Sequence, residues 1–251
     1  MLATQTLTHK IKLLRSRSIF IVSFILVFIF SCSLFGQNKN PDSFSQLNKK
    51  NSYISFSFGM GANYSSNPSI ITFIEGDIPS YNIIPSDERL STLDGGLEFF
   101  SGIEYQLAKN FSIKGEYSFF TKSFSVTRFP NYEYSYINHQ PYILFNYIIP
   151  DKNSFIKIGA GPGYIITNFS AKRFGGETKY HSSGFGIMGE GVANLQISSN
   201  VGGYVSVYTF KTFTGDLKDD NETPLLNNNG EAVNSSSFGV GLRLGMEIFI
   251  F

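Results

Sequence analysis

Two histidines follow residue 36, His139 and His181, and the second has a serine two positions on. "YHSSGF" (180–185) puts His181 and Ser183 on one side of an extended chain. An imidazole that takes the proton of a neighbouring hydroxyl makes an esterase nucleophile. That chemistry also wants an acid to orient the imidazole, and the outer side of the segment 183–197 carries none. A polar strand end emerging into water is the plainer account, so no enzyme is expected.

A second constellation is larger. Glu98, Glu104, Glu116, Glu190 and Glu247 share the small, polar side of alternating segments with Lys114, Lys157 and Arg243. Such a set makes either an ion-selective path or a salt-bridged plug in which each base neutralises acids that burial would penalise. The plug is the expectation, because eight strands leave a lumen that side chains fill. Tyr132, Tyr134 and Tyr136 in "NYEYSYI" read as part of an aromatic girdle at the outer membrane interface. The acidic "GDLKDDNE" (215–222) reads as a solvated loop, with a divalent cation shared with lipopolysaccharide phosphates as the other possibility. No metal-ligand cluster, phosphate loop or nucleophile elbow is present in the sequence, and no cofactor or metal is expected.

The elements that would position these groups follow from composition and period. Charged residues make up 16% of the 251 positions, against roughly 25% in ordinary soluble domains. The chain has 26 Phe and 14 Tyr, no Trp and 24 Gly, and its formal charge of +1 argues against a nucleic-acid partner. Lys10, Lys12, Arg15 and Arg17 precede an apolar run at 19–31, the pattern of a secretory signal, with cleavage expected before Gln37. Lipoprotein processing at Cys32 is the alternative, weakened by Phe30 two positions earlier. Removing residues 1–36 takes four bases, no acid and the only cysteine, so the net charge goes from +1 to −3. Residues 37–51 are polar and non-periodic, a periplasmic linker.

From residue 52 the hydrophobic period is 2. In "SYISFSFGMGANY" Ile54, Phe56, Phe58, Met60, Ala62 and Tyr64 oppose Ser55, Ser57, Gly59, Gly61 and Asn63. Seven more segments follow, near 92–107, 111–120, 137–149, 154–167, 183–197, 201–210 and 237–251. Their length suits tilted strands crossing a bilayer. Tight turns "AKN", "PDKN" and "SSN" alternate with long connections, the longest at 65–91 and 211–236. This asymmetry predicts an all-β, eight-stranded antiparallel up-and-down transmembrane barrel over 52–251, with short periplasmic turns, long extracellular loops and both termini periplasmic. A soluble barrel would need a charged exterior, and the polar side offers about one charge per strand.

"HQPYILFNY" (139–147), a tight turn and "IKIGAGPGYII" (156–166) resemble the bacterial outer-membrane β-barrel family of PorT-like and OmpA-like type. The carrying residues are Pro141, Gly159, Gly161, Pro162 and Gly163. The resemblance implies the fold and an outer-membrane location, and barrel-assembly machinery that reads the closing Phe249 and Phe251 as partner. Strict alternation leaves Phe251 on the side of Arg243, so either a bulge shifts the last residues or its ring turns to the lumen mouth. It also implies contact with outer-membrane lipid and lipopolysaccharide. The outer-membrane lipid A deacylases likewise carry a His and a Ser two apart, but continue with Asn where Gly184 stands here. The expected role is therefore non-enzymatic, acting through the extracellular loops on a surface or secretion-system protein partner or in envelope structure, as a monomeric barrel. A small-solute porin and a secretion-accessory barrel are the alternatives, and an esterase using His181 and Ser183 a remote one.

Overall fold

The computed structural model describes residues 53–78, 95–126, 131–150, 154–173, 175–198 and 200–250. The expected signal peptide, the linker and Phe251 lie outside the described residues. Eight strands form: β1 (Ile54–Ser66), β2 (Gly95–Ala108), β3 (Phe111–Val126), β4 (Tyr132–Pro150), β5 (Ser154–Arg173), β6 (Gly176–Gln196), β7 (Val201–Thr214) and β8 (Phe238–Ile250), with one helix, α1 (Pro68–Asp77). Each strand pairs antiparallel with the next, and β8 pairs back onto β1, so the sheet is closed. Closure leaves no unpaired edge along the stretch where all eight strands pair.

The register sets the barrel's shape. Cross-strand partners followed once around the wall run Ile54, Tyr105, Ile113, Phe145, Ala160, Gly189, Thr209, Val240 and then Tyr64. The path returns to β1 ten residues above its start. With ordinary strand spacings this stagger tilts the strands by about 40° to the axis. β1 and β8 keep one register from Ser66↔Phe238 to Ile54↔Ile250, with no bulge. Of the two ways of accommodating the terminal Phe, the bulge is absent through Ile250.

Burial follows the alternation, with the polar side inward. Glu98 is 1% exposed and Ser55 0%, while Phe58, Met60, Ile158 and Phe185 are 47%, 56%, 58% and 71% exposed. A continuous apolar surface of this extent is stable in hydrocarbon, where a closed barrel satisfies its own backbone. The fold and its surface define a transmembrane β-barrel. Outward aromatics rim the belt at both ends: Tyr105, Phe111 and Tyr147 at the turn end, and Tyr64, Tyr164, Phe185, Phe213 and Phe238 at the loop end. Among the described outward positions of the belt, Lys211 is the charged one. Its Nζ lies 5.8 Å from the Phe213 ring toward the loop end, the direction in which a lysine stem reaches headgroups.

β3 to β6 run well past the belt, so the expected loops at 121–136 and 168–182 are mostly wall. There the pattern inverts. Tyr132, Tyr134, Phe169 and Ala171 point inward and are buried, whereas Ser123, Glu133 and Lys172 face out. The girdle assigned to Tyr132, Tyr134 and Tyr136 is therefore wrong. They share the parity of Asn138 and Gln140 and face the interior at 3%, 1% and 5% exposure.

What they pack against is α1. The Asn67 side chain accepts a hydrogen bond from the Ile70 N–H at 3.1 Å, and Pro68 follows at the first helical position, where its missing N–H costs nothing. Ile70, Phe73 and Ile74 lie on one face of the helix and are buried in the barrel mouth with Phe120, Tyr134 and Phe169. Over α1 folds the segment 215–237. Its three passes close a ring of hydrogen bonds: Leu217 N–H to Val233 O, Leu225 N–H to Leu217 O, and Val233 N–H to Leu225 O, at 2.7, 2.7 and 2.8 Å. Leu217, Leu225 and Val233 turn their side chains down onto the helix. The two turns between passes match: Asp219 and Asn227 each accept the N–H groups two and four residues on, and Glu222 and Gly230 each take a positive φ.

Candidate functional site

The lumen charges assemble into two buried layers. Nearer the loop end, Arg243 on β8 reaches over Gly61 to Glu98 on β2 at 2.6 Å and across to Glu116 on β3 at 2.7 Å. Gly61 is required there, since a Cβ would lie 2.9 Å from the Arg243 side chain and 2.6 Å from the Leu242 carbonyl. Lys114 on β3 meets both Glu116 and Glu190 on β6 at 2.6 Å. Tyr208 donates to Glu98, and the Arg243 guanidinium lies 3.9 Å from the Tyr208 ring centroid. Nearer the turn end, Lys157 on β5 bridges Glu104 at 2.6 Å and Glu247 at 2.9 Å. Ser112 donates to Glu104, and Ser55 and Asn194 donate to Glu247. All eight residues expected on the lumen side are there, each at 4% exposure or less.

Each layer carries one acid more than its bases, and Arg243, Lys114 and Lys157 each sit between two carboxylates or more. Buried apolar and aromatic side chains pack around the charges: Tyr142, Leu144, Ile165, Met188, Tyr208 and Phe210 form one cluster, level with and on the loop side of the Arg243 layer. Phe100, Val192 and Tyr204 form another. The turn end is closed by Tyr53, Ile148, Phe155 and Phe249, with Phe249 edge-on to both Tyr53 and Phe155 at 5.5 and 5.9 Å. Phe249 is thus a lumen stopper, whatever else reads it.

The glycines of the β5 motif have a packing reason. Gly159, Gly161 and Gly163 face the interior beside β4. A Cβ on Gly161 would stand 1.8 Å from the Ile143 carbonyl oxygen, and one on Gly163 would stand 2.3 Å from the Tyr142 ring. β4 lies so close to β5 that no side chain fits, and Tyr142 folds over the gap. The prolines face outward. The register is the same on both sides of Pro141 and Pro162, but paired positions are missing at Gln140–Pro141 and Ile143–Leu144. Proline has no N–H for the ladder.

At the mouth, Arg173 Nε lies 2.8 Å from Asp77 Oδ2, the Tyr134 hydroxyl donates to the same oxygen at 2.5 Å, and the Arg173 guanidinium stacks 5.5 Å from the Phe73 ring. Asn228 donates to the Gly76 carbonyl and Asn234 N–H to the Ser69 hydroxyl, which ties the 215–237 cap to the helix. Sequence reasoning missed this cluster. Asn67-Pro68 before an apolar i, i+3, i+4 pattern was its available signal.

His181 does gain an acid, from outside its strand: Asp220 Oδ1 lies 3.5 Å from Nε2. Its Nδ1 is 2.7 Å from Asn168 Oδ1. Both ring nitrogens thus face partners other than Ser183, and His181 anchors the cap through paired backbone bonds with Lys218. The geometry is that of a latch. The acidic run 215–222 spends its groups locally: Asp219 caps its own turn, and Lys218 pairs with Glu222 at 3.0 Å. Among the described residues no cluster of three His, Cys, Asp or Glu is placed to hold a metal.

No family model and no curated protein matches the chain. Among solved structures it is similar to the outer membrane protein OprG from Pseudomonas aeruginosa, with TM-score 0.49 and 13% identity over 80% of this chain and 96% of that one. A major outer membrane protein from Thermus thermophilus gives TM-score 0.49 and 11% identity over 78% and 99%. Ail, the attachment invasion locus protein of Yersinia pestis, gives 0.44 and 11% over 80% and 100%. Similarity at this level leaves the fold to be read from the chain's own strand pairing.

Proposed function

We propose that the protein is an integral outer-membrane barrel of the cell envelope that neither conducts solutes nor catalyses a reaction, and that acts through its capped loop end. On this reading residues 1–36 are removed on export, the termini are periplasmic, and the loop end faces the cell exterior. The observation that carries it is the double closure of the interior. Ion pairs such as Lys114–Glu190 cross the lumen, and α1 with the 215–237 ring fills the mouth. A chain that gives up its lumen for a rigid, hydrogen-bonded cap presents a shaped surface, which suits binding or envelope structure. A PorT-like assignment is part of this reading and rests on Pro141 and the Gly159–Gly163 stretch.

Protease treatment of intact cells tests it. Cleavage confined to the loop end, with the barrel retaining heat-modifiable migration in gels, is expected. A protein that is fully degraded, or that is released without detergent, would contradict the proposal.

A further inference from the structure

The outer belt is not smooth over β1, β2 and β3. β2 presents Ser101 between the outward Phe99 and Ile103, while Phe58 and Met60 on β1 and Tyr117 and Phe119 on β3 stand up on either side. The short side chain leaves an open, almost wholly apolar hollow of about 510 Å³ with Ser101 in its floor. Toward the loop end the hollow runs into a polar pair. The Tyr117 hydroxyl is 2.6 Å from His139 Nδ1, and the His139 ring lies 5.4 Å from Phe119, its cross-strand partner. Hydrogen-bonding side chains on a lipid-facing surface are costly and need polar company. These two supply it to each other, and the imidazole has a second nitrogen besides.

We propose that this hollow is a fixed site for one acyl chain of a membrane lipid, with the Tyr117–His139 pair at its rim meeting the polar linkage that joins the chain to its headgroup. The inference rests on the membrane placement argued above. Its position within the belt means that hydrocarbon bathes it, and its walls offer an occupant little but dispersion contacts. A second copy of the barrel fits poorly, because a convex wall would rest on the Phe58 and Phe119 ridges and leave the floor empty. A flexible chain fills such a shape.

Native mass spectrometry of the full protein after exchange into lipid-free detergent reads the site directly. The wild type is expected to retain one lipid. Ser101→Leu, which raises the floor on a surface that makes no interior contact, is expected to lose it while keeping heat-modifiable migration, and His139→Phe to retain it at least tenfold less. A wild type that sheds all lipid, or a Ser101→Leu protein that keeps it, would overturn the site while leaving the barrel standing. A wild-type dimer that Ser101→Leu dissolves would assign the hollow to a second copy and equally overturn it. Absence of heat-modifiable migration in every form would sink the membrane reading itself.

Discussion

Lys114 on β3 and Glu190 on β6 meet at 2.6 Å inside the lumen, three strands apart in the wall, so one ion pair ties nearly opposite sides of the barrel. With Arg243, which reaches Glu98 and Glu116, it braces the interior of the barrel. Burying these charges is tolerable because each is paired, and Glu98, Glu104, Glu190 and Glu247 accept further hydrogen bonds from Tyr208, Ser112, Tyr204, and Ser55 with Asn194.

Removing one partner leaves the others uncompensated. Lys114→Met strips Glu116 and Glu190 of their shared cation and is expected to lower the unfolding free energy in detergent by about 3–5 kcal/mol. Lys114→Met with Glu190→Gln is expected to recover part of that loss, since Glu116 keeps Arg243. Urea titrations of both single variants and the double variant measure this, and a double-variant loss equal to the sum of the two single losses would show that the pair is not coupled.

The β5 glycines give a sharper contrast. Gly161→Ala drives a Cβ into the Ile143 carbonyl, which the wall relieves only by parting β4 from β5, so the heat-modifiable form should be lost or strongly reduced. Gly191→Ala meets nothing within 4 Å and is expected to fold like the wild type. Gel migration of unboiled samples distinguishes them.

Much of this was readable in the residues, and the misses have physical causes. Within the belt, lipid outside and charge inside enforce one strict alternation, so strands and lumen acids could be placed by parity. Above it water replaces lipid outside, and α1 makes the inside apolar. Tyr134 and Phe169 then point in while Ser135 and Ser170 turn out, and strands whose contrast has inverted look like loops. The cap hid for another reason. Its passes repeat every eight residues, with Leu217, Leu225 and Val233 as anchors and Asp219 and Asn227 as turn formers, a short period whose meaning depends on closing a three-way ring. Asp220 beside His181 was out of reach because a loop brings it from 39 positions away.

The matched turns predict a stabilising change. Glu222 sits at φ 62° where the equivalent residue is Gly230, and a left-handed conformation costs a residue with a Cβ roughly 1–2 kcal/mol. Glu222→Gly gives back some of that through a freer unfolded chain and the lost exposed pair with Lys218, for a net gain of about 0.5–1 kcal/mol in the cap. Slower amide exchange at Thr223 and Leu225 would register it; faster exchange would show that the Lys218 pair matters more.

The anchor of α1 can be cut without touching the barrel's interior charges. Asp77→Ala removes the acceptor shared by Tyr134 and Arg173 and is expected to loosen the helix by about 1–3 kcal/mol. Limited proteolysis should then cut within 68–78 at least fivefold faster, with unboiled migration unchanged. An unchanged cleavage rate would mean that the apolar contacts of Phe73 and Ile74 hold the cap unaided.

The central claim is that this barrel is closed, and conductance across a planar bilayer tests it most directly. Protein that has inserted, verified by its heat-modifiable form, should give no steady single-channel openings, and neither should a variant lacking residues 216–234, because the Arg243 and Lys157 layers still fill the lumen. Stable, ion-selective openings from the intact protein would contradict the account.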